Sequence, residues 1–161
     1  MEEKLNHIKN YDSLTGISTL HRFKKQVKEV IENNPDKRYV IVNTDFDKFK
    51  YINDTIGYDA GDDLLRAFAE FITKESVMNL CCCRVYSDDF LALFEFVDEE
   101  TIVDYIEMMS ARFSDDVKKR YMNVNLTISS GASDIDKDNP DIMATIDNAN
   151  AARKYAKESN D

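Results

Sequence analysis

Apolar positions recur along the chain in two rhythms, and each rhythm predicts an element. Phe23, Val27, Val30 and Ile31 share one face at helical spacing, and Asn33-Asn34-Pro35-Asp36 closes that helix. Tyr39-Val40-Ile41-Val42 is a nearly continuous apolar run with β-branched residues, the pattern of a central strand covered on both faces. It runs into Asn43-Thr44-Asp45-Phe46-Asp47. Lys48 to Asp54 reads as a short helix or turn, and Gly57 and Gly61 punctuate the next few residues. A strong helix is predicted from Asp62 to Thr73, with Leu64, Leu65, Phe68, Phe71 and Ile72 on its apolar side. Cys81-Cys82-Cys83 and the run Leu91 to Phe96 read as strands joined by a tight turn, Tyr86 to Asp89. Asp98 is the expected N-cap of a helix carried by Ile102, Val103, Ile106, Met109 and Phe113. Met122, Val124, Leu126 and Ile128 alternate, so a strand with one polar face is predicted there, followed by a polar loop from Gly131 to Asn139. Asn139-Pro140 reads as an N-cap and first-turn proline for a last helix built on Ile142, Met143, Ile146 and Ala149 and ending near Lys157.

At the other end, Leu5, Ile8 and Tyr11 suit the end of an incoming helix, and Asp12-Ser13-Leu14-Thr15-Gly16 a turn before the first long helix. The expected organisation is an N-terminal linker helix over residues 1–11 and a single domain over 12–161. The order of elements predicts the α+β class: a βαββαβ core of the ferredoxin-like, palm type, whose mostly antiparallel sheet is flanked by helices, expected on one face.

Composition narrows the possibilities. The chain has 161 residues and is 43% apolar, enough for one domain with a real core. A formal net charge of −10 argues against sequence-independent binding of DNA or RNA, although a bound metal and a few lysines can reverse the field in a small cleft. No stretch approaches the ~18 apolar residues of a membrane span, so this segment is expected to be soluble and to make no membrane contact itself. Three consecutive cysteines make a poor disulfide framework and have no second Cys or His cluster to complete a zinc site. Reduced, buried strand cysteines fit a cytoplasmic location.

The candidate chemistry sits at the hairpin. Asp88 and Asp89 crown its tip, and the predicted topology brings the C-terminal end of the first strand, at Asp45, beside them. Two carboxylates from separate strands over one sheet edge make a two-point clamp for a hard cation. Magnesium held in this way keeps waters and takes phosphate oxygens as further ligands.

These residues carry a resemblance. Asp12-x-Leu14-Thr15-Gly16 resembles the opening motif of the GGDEF domains, the diguanylate cyclases. Asp45-Phe46-Asp47-x-Phe49-Lys50-x-Ile52-Asn53-Asp54-x-x-Gly57-x-x-x-Gly61-Asp62-x-Leu64-Leu65 is similar to their metal and guanine segment at the same spacing. Arg84-x-Tyr86-Ser87-Asp88-Asp89-Phe90 falls on their signature, Thr127-Ile128-Ser129-Ser130-Gly131 on a late strand, and Lys154 on a lysine of the final helix. The resemblance implies a domain that joins two GTP molecules into cyclic di-GMP, two copies facing each other as a homodimer, each bringing one GTP and Mg²⁺ or Mn²⁺. It implies Asp45, Asp88 and the Phe46 carbonyl as metal ligands, and Asn53 and Asp62 on the guanine edge. Lys50 and Lys154 would meet phosphates, and Asp88 and Asp89 would be the catalytic acids. An Asn–Asp pair does supply the donors and acceptors a guanine edge needs.

The signature departs from the family where Tyr86 and Ser87 replace two glycines and Asp89 replaces a glutamate. Glycine there permits positive φ and close backbone approach to a ligand, and a carboxylate shortened by one methylene is displaced by about 1 Å, which can cost ~100-fold in rate. The family's product-inhibition motif is replaced by Val77-Met78-Asn79-Leu80, and two basic or glycine positions of the last helix read Lys157 and Glu158. The expectation is a catalytically impaired domain that binds GTP or another guanine nucleotide with metal and regulates an attached sensory or effector module. An active diguanylate cyclase and a dimerisation or relay domain that binds nothing stay open beside it.

Overall fold

A computed structural model describes residues 1–160; the last residue of the expected domain, Asp161, lies outside them. Helix α1 (Glu2–Asn10) buries none of its residues, and α2 (Leu20–Asn33) comes next, capped by the Thr19 side chain. Then come β1 (Tyr39–Phe46), α3 (Phe49–Ile56), α4 (Tyr58–Lys74), the hairpin β2 (Asn79–Tyr86) and β3 (Asp89–Glu95), α5 (Glu99–Arg120), β4 (Ile128–Asp134) and α6 (Ile142–Asn160). The four strands form one sheet in the order β2-β3-β1-β4, every neighbour antiparallel. This is the α+β, βαββαβ architecture expected. Among the described residues no helix is long and apolar enough to cross a membrane.

Helices cover both faces of the sheet, not one. The reason lies in the first half of β1, Tyr39 to Val42, where both alternate sets of side chains are apolar. Tyr39 and Ile41, with Leu91, Leu93, Cys81 and Cys83, pack under Phe23 and Val27 of α2 and Ile146 and Ala149 of α6. Val40 and Val42 face the other way, toward Phe94 and Ile102. On that second face Phe46 and Phe90 meet Phe68 and Phe71 of α4 and Met109 and Phe113 of α5. The Phe46 ring lies 5.2 Å from Phe68 and 6.0 Å from Phe113, centroid to centroid. Burying one such ring is worth about 2–3 kcal/mol. Because Phe46 is pinned into this cluster, strand alternation turns Asp45 to the α6 side.

The last strand lies later than its sequence pattern suggests. Val124 and Leu126 are buried, but in an extended lead-in that plugs the α4–α5 core. The ladder itself is Ile128–Asp134, set by pairing with β1 from Phe46↔Ile128 to Val40↔Asp134. Gly131 therefore belongs to a strand and not to a loop. A Cβ there would stand 2.1 Å from the Arg153 backbone nitrogen and 2.4 Å from the Ala149 carbonyl oxygen, so its absence is what lets α6 lie directly on β4. Helix α6 also starts later than expected: the Asp141 carboxylate accepts the Ala144 amide at 3.0 Å, so Asp141 does the capping expected of Asn139. The cysteines are free and buried, and burial pushes the Cys81 thiol up to about 12, which keeps it protonated and inert.

Candidate functional site

The site forms where β1 ends and the β2–β3 turn folds over it. Tyr86 pairs with Asp89, leaving Ser87 and Asp88 as a two-residue loop. Ser87 takes φ 49°, the left-handed backbone that the absent glycine would adopt freely. Lys48, just beyond β1, takes φ 55°. The non-glycine residues with positive φ among those described thus flank the same sheet edge. Arg84 holds the loop: its Nε donates to the Ser87 carbonyl at 2.7 Å, and its Nη1 donates to both carboxylate oxygens of Asp12, at 2.9 and 3.1 Å. Asp12 in turn accepts the Thr15 amide and hydroxyl. The opening turn is therefore the brace of the hairpin tip.

The brace brings Asp88 onto the end of β1, where its Oδ2 accepts the Phe46 amide at 3.0 Å. Asp45 projects to the same edge. Its Oδ2 accepts from Arg153 Nη1 and, at 2.9 Å, from Lys157 Nζ. Its Oδ1 is buried with no hydrogen-bond partner. Burial raises the Asp45 pKa above its ordinary value; Lys157 and Arg153 pull against that, and the nearby Asp88 charge adds to it. A buried carboxylate oxygen without a donor, on a group close enough to Asp88 to feel its charge, suits a divalent cation that completes its shell with water and phosphate. Among the described residues no three His, Cys, Asp or Glu side chains gather into a metal cluster, so the protein would supply only part of that shell.

Asp47 differs. Its oxygens accept hydroxyls from Ser129 at 2.6 Å and Thr127 at 2.7 Å, which ties the end of β1 to the start of β4. Asp89 turns inward and accepts from Asn43 Nδ2 at 2.6 Å; burial raises its pKa, and the Asn43 bond opposes this. Tyr86 is 70% exposed, with its ring toward solvent.

The guanine candidates stand on the other face, at the α3–α4 junction. Neither caps a helix: Asn53 lies inside α3 and Asp62 inside α4. Gly61 is the contact point, since a Cβ there would meet Asn53 Oδ1 at 1.8 Å. That oxygen is buried and unpartnered. Lys50 is exposed on α3. Lys154 is exposed on α6, close enough for its charge to favour ionised Asp89, whereas the α6 residues that reach Asp45 are Arg153 and Lys157.

Sequence reasoning missed Arg153, Lys157 as an Asp45 partner, and Asn43. A signal existed for each. Ile146, Ala149, Arg153 and Lys157 form one helical stripe, so the apolar face of α6 continues into two bases. Asn43 is the polar residue in an otherwise buried strand run, 2% exposed.

The sequence matches the family described as "Diguanylate cyclase, GGDEF domain" over residues 9–161. The chain belongs to the GGDEF family. It is 30% identical over 92 residues to "Probable diguanylate cyclase DgcE" of Escherichia coli K12, covering 56% of this chain and 8% of that protein. Over 155 residues it is 25% identical to "Cyclic di-GMP phosphodiesterase NbdA" of Pseudomonas aeruginosa, covering 95% of this chain and 20% of the relative. The aligned stretch is thus a small part of both relatives. The coiled coil and GGDEF domain of DgcB from Caulobacter crescentus, solved in complex with c-di-GMP, shares the fold with a TM-score of 0.80 at 21% identity, over 98% of this chain and 85% of that one.

Proposed function

We propose that this GGDEF domain of cyclic di-GMP signalling binds GTP with Mg²⁺ or Mn²⁺ at the β1–hairpin edge, turns it over weakly, and acts in the cytoplasm as the regulatory domain of a longer protein. The observation that carries the reading is the orphaned Oδ1 of Asp45, a carboxylate within reach of the Asp88 charge. Asp45, Asp88 and the Phe46 carbonyl hold the cation; bound, it neutralises charge on the phosphates. Asn53 and Asp62, which α3 and α4 bring together at Gly61, take the guanine edge. Lys50, Lys154 and Lys157 face the phosphates as point charges; Lys157 has a 30% exposed side chain. In the family reaction a ribose 3′-oxygen bonds to the α-phosphorus of a second GTP held by a facing copy, its proton is lost, and pyrophosphate leaves.

The impairment is assigned to Asp89, drawn inward to Asn43, and not to Tyr86, whose ring points to solvent. Asp89→Glu should therefore raise product formation, and the Tyr86→Gly, Ser87→Gly double change should leave it where it was. The test is incubation with GTP and Mg²⁺ followed by chromatography for cyclic di-GMP, beside calorimetry for binding. Binding with little product is expected. Rapid synthesis would overturn the impairment, and absence of GTP binding would leave the dimerisation or relay reading in its place.

A further inference from the structure

We infer that Arg153 is a positioning residue that locks Asp45 and, through Asn43, Asp89 into one buried unit beneath the hairpin tip. The inference rests on the nucleotide-binding reading only for its consequence, not for its geometry. Arg153 is 8% exposed, too buried to reach a ligand in solvent, and its guanidinium fork has three partners. Nε donates to Asn43 Oδ1, Nη1 to Asp45 Oδ2 and Nη2 to Asn150 Oδ1. Asn43 is saturated in turn: with its oxygen taken by Arg153, its Nδ2 donates to Asp89 Oδ1 at 2.6 Å and to the Phe90 carbonyl at 3.0 Å. This bonding fixes which way the Asn43 amide faces, and so fixes Asp89 on β3 from a base on α6.

The arrangement needs arginine. A guanidinium presents donors in a rigid planar fork, whereas lysine carries one compact charge and cannot bridge Asn43, Asp45 and Asn150 together. It also needs Gly131, which lets the α6 backbone come close enough to β4 at Arg153 itself. Outer partners of this kind commonly change the affinity of a metal site without touching it.

The test is hydrogen exchange of the Asn43 side-chain amide in the ligand-free protein, read by NMR, in the wild type and in Arg153→Lys. Arg153→Lys keeps a positive charge for Asp45, so the backbone amides of β1 and β3 serve as the control for an intact sheet. Asn43 Oδ1 loses its donor, and its amide hydrogens are expected to exchange about 10-fold faster while those backbone amides keep their protection. Unchanged Asn43 protection would overturn the inference. So would loss that merely tracks the backbone amides, which would make Arg153 a general packing residue. A second arm measures GTP binding with Mg²⁺: Arg153→Lys and Asn43→Val each weaken it about 10-fold, and the double variant no further. Additive losses would overturn the coupling. If the wild type binds no GTP, the proposed function falls while the exchange result still decides the role of Arg153.

Discussion

The two ends of the site are built differently. On the α6 side, polar groups answer one another: Asp89, Asn43, Arg153, Asp45 and Lys157 form a continuous chain, and Asp47 is tied off by Thr127 and Ser129. Along that chain the Oδ1 of Asp45 stands unanswered. At the α3–α4 junction little is answered at all: Asn53 presents a buried bare oxygen, Asp62 is half-buried, and Lys50 is in solvent. The acid end is bonded together in advance, and the guanine end is not. A folded protein keeps a buried polar atom unpaired at a cost of about 1–3 kcal/mol, so the orphaned Asp45 oxygen marks where a cation is expected to supply the missing partner.

Breaking the prebuilt end should have the largest effect. Gly131→Val forces α6 away from β4 and is expected to cost about 3 kcal/mol in chemical denaturation; a loss under about 1 kcal/mol would show that the helix yields freely there. Next comes the brace. Arg84→Gln removes the charge that holds Asp12 and leaves two half-buried groups poorly paired, an expected loss of about 2 kcal/mol by the same measurement. Ser87→Gly goes the other way: it relieves a left-handed serine and should stabilise the protein by about 1 kcal/mol, and a net loss would mean the serine side chain matters more than the backbone.

The smallest effect is a control away from the site. Asp98 caps α5, its carboxylate accepting the Thr101 amide at 2.7 Å, and that bond holds its pKa below the usual carboxylate value. Its contribution is therefore present above the unfolded-state pKa and fades as pH falls through the lower folded-state value. The wild type should lose slightly more stability than Asp98→Asn over that acid window, and parallel curves would show that the cap contributes nothing.

Much of the fold could be read from the chain. The apolar run at Tyr39–Val42 announced a strand buried on both sides, and turn chemistry at the hairpin announced where carboxylates would meet. What escaped was tertiary. The alternation Met122–Ile128 mimics a strand because Val124 and Leu126 are core plugs, while the true ladder, Ile128–Asp134, is rich in Ser, Gly and Ala. Small residues there reflect the close approach of α6, which no local propensity encodes. Lys154 drew attention by its resemblance to a family lysine, yet one step of a helix is about 100°, and that step puts Arg153 on Asp45. Asn43 shows that an unexpected polar residue in an apolar strand is itself a signal, since it survives burial only with partners.

The most direct test of the central claim is calorimetric titration with GTP and Mg²⁺ of the wild type and of Asp45→Asn, with folding checked by circular dichroism. Saturable binding is predicted for the wild type, weakened at least ~10-fold in a folded Asp45→Asn protein, because the neutral amide offers the cation no charge at the unpaired Oδ1 position. Equal affinity in the two proteins would contradict the claim.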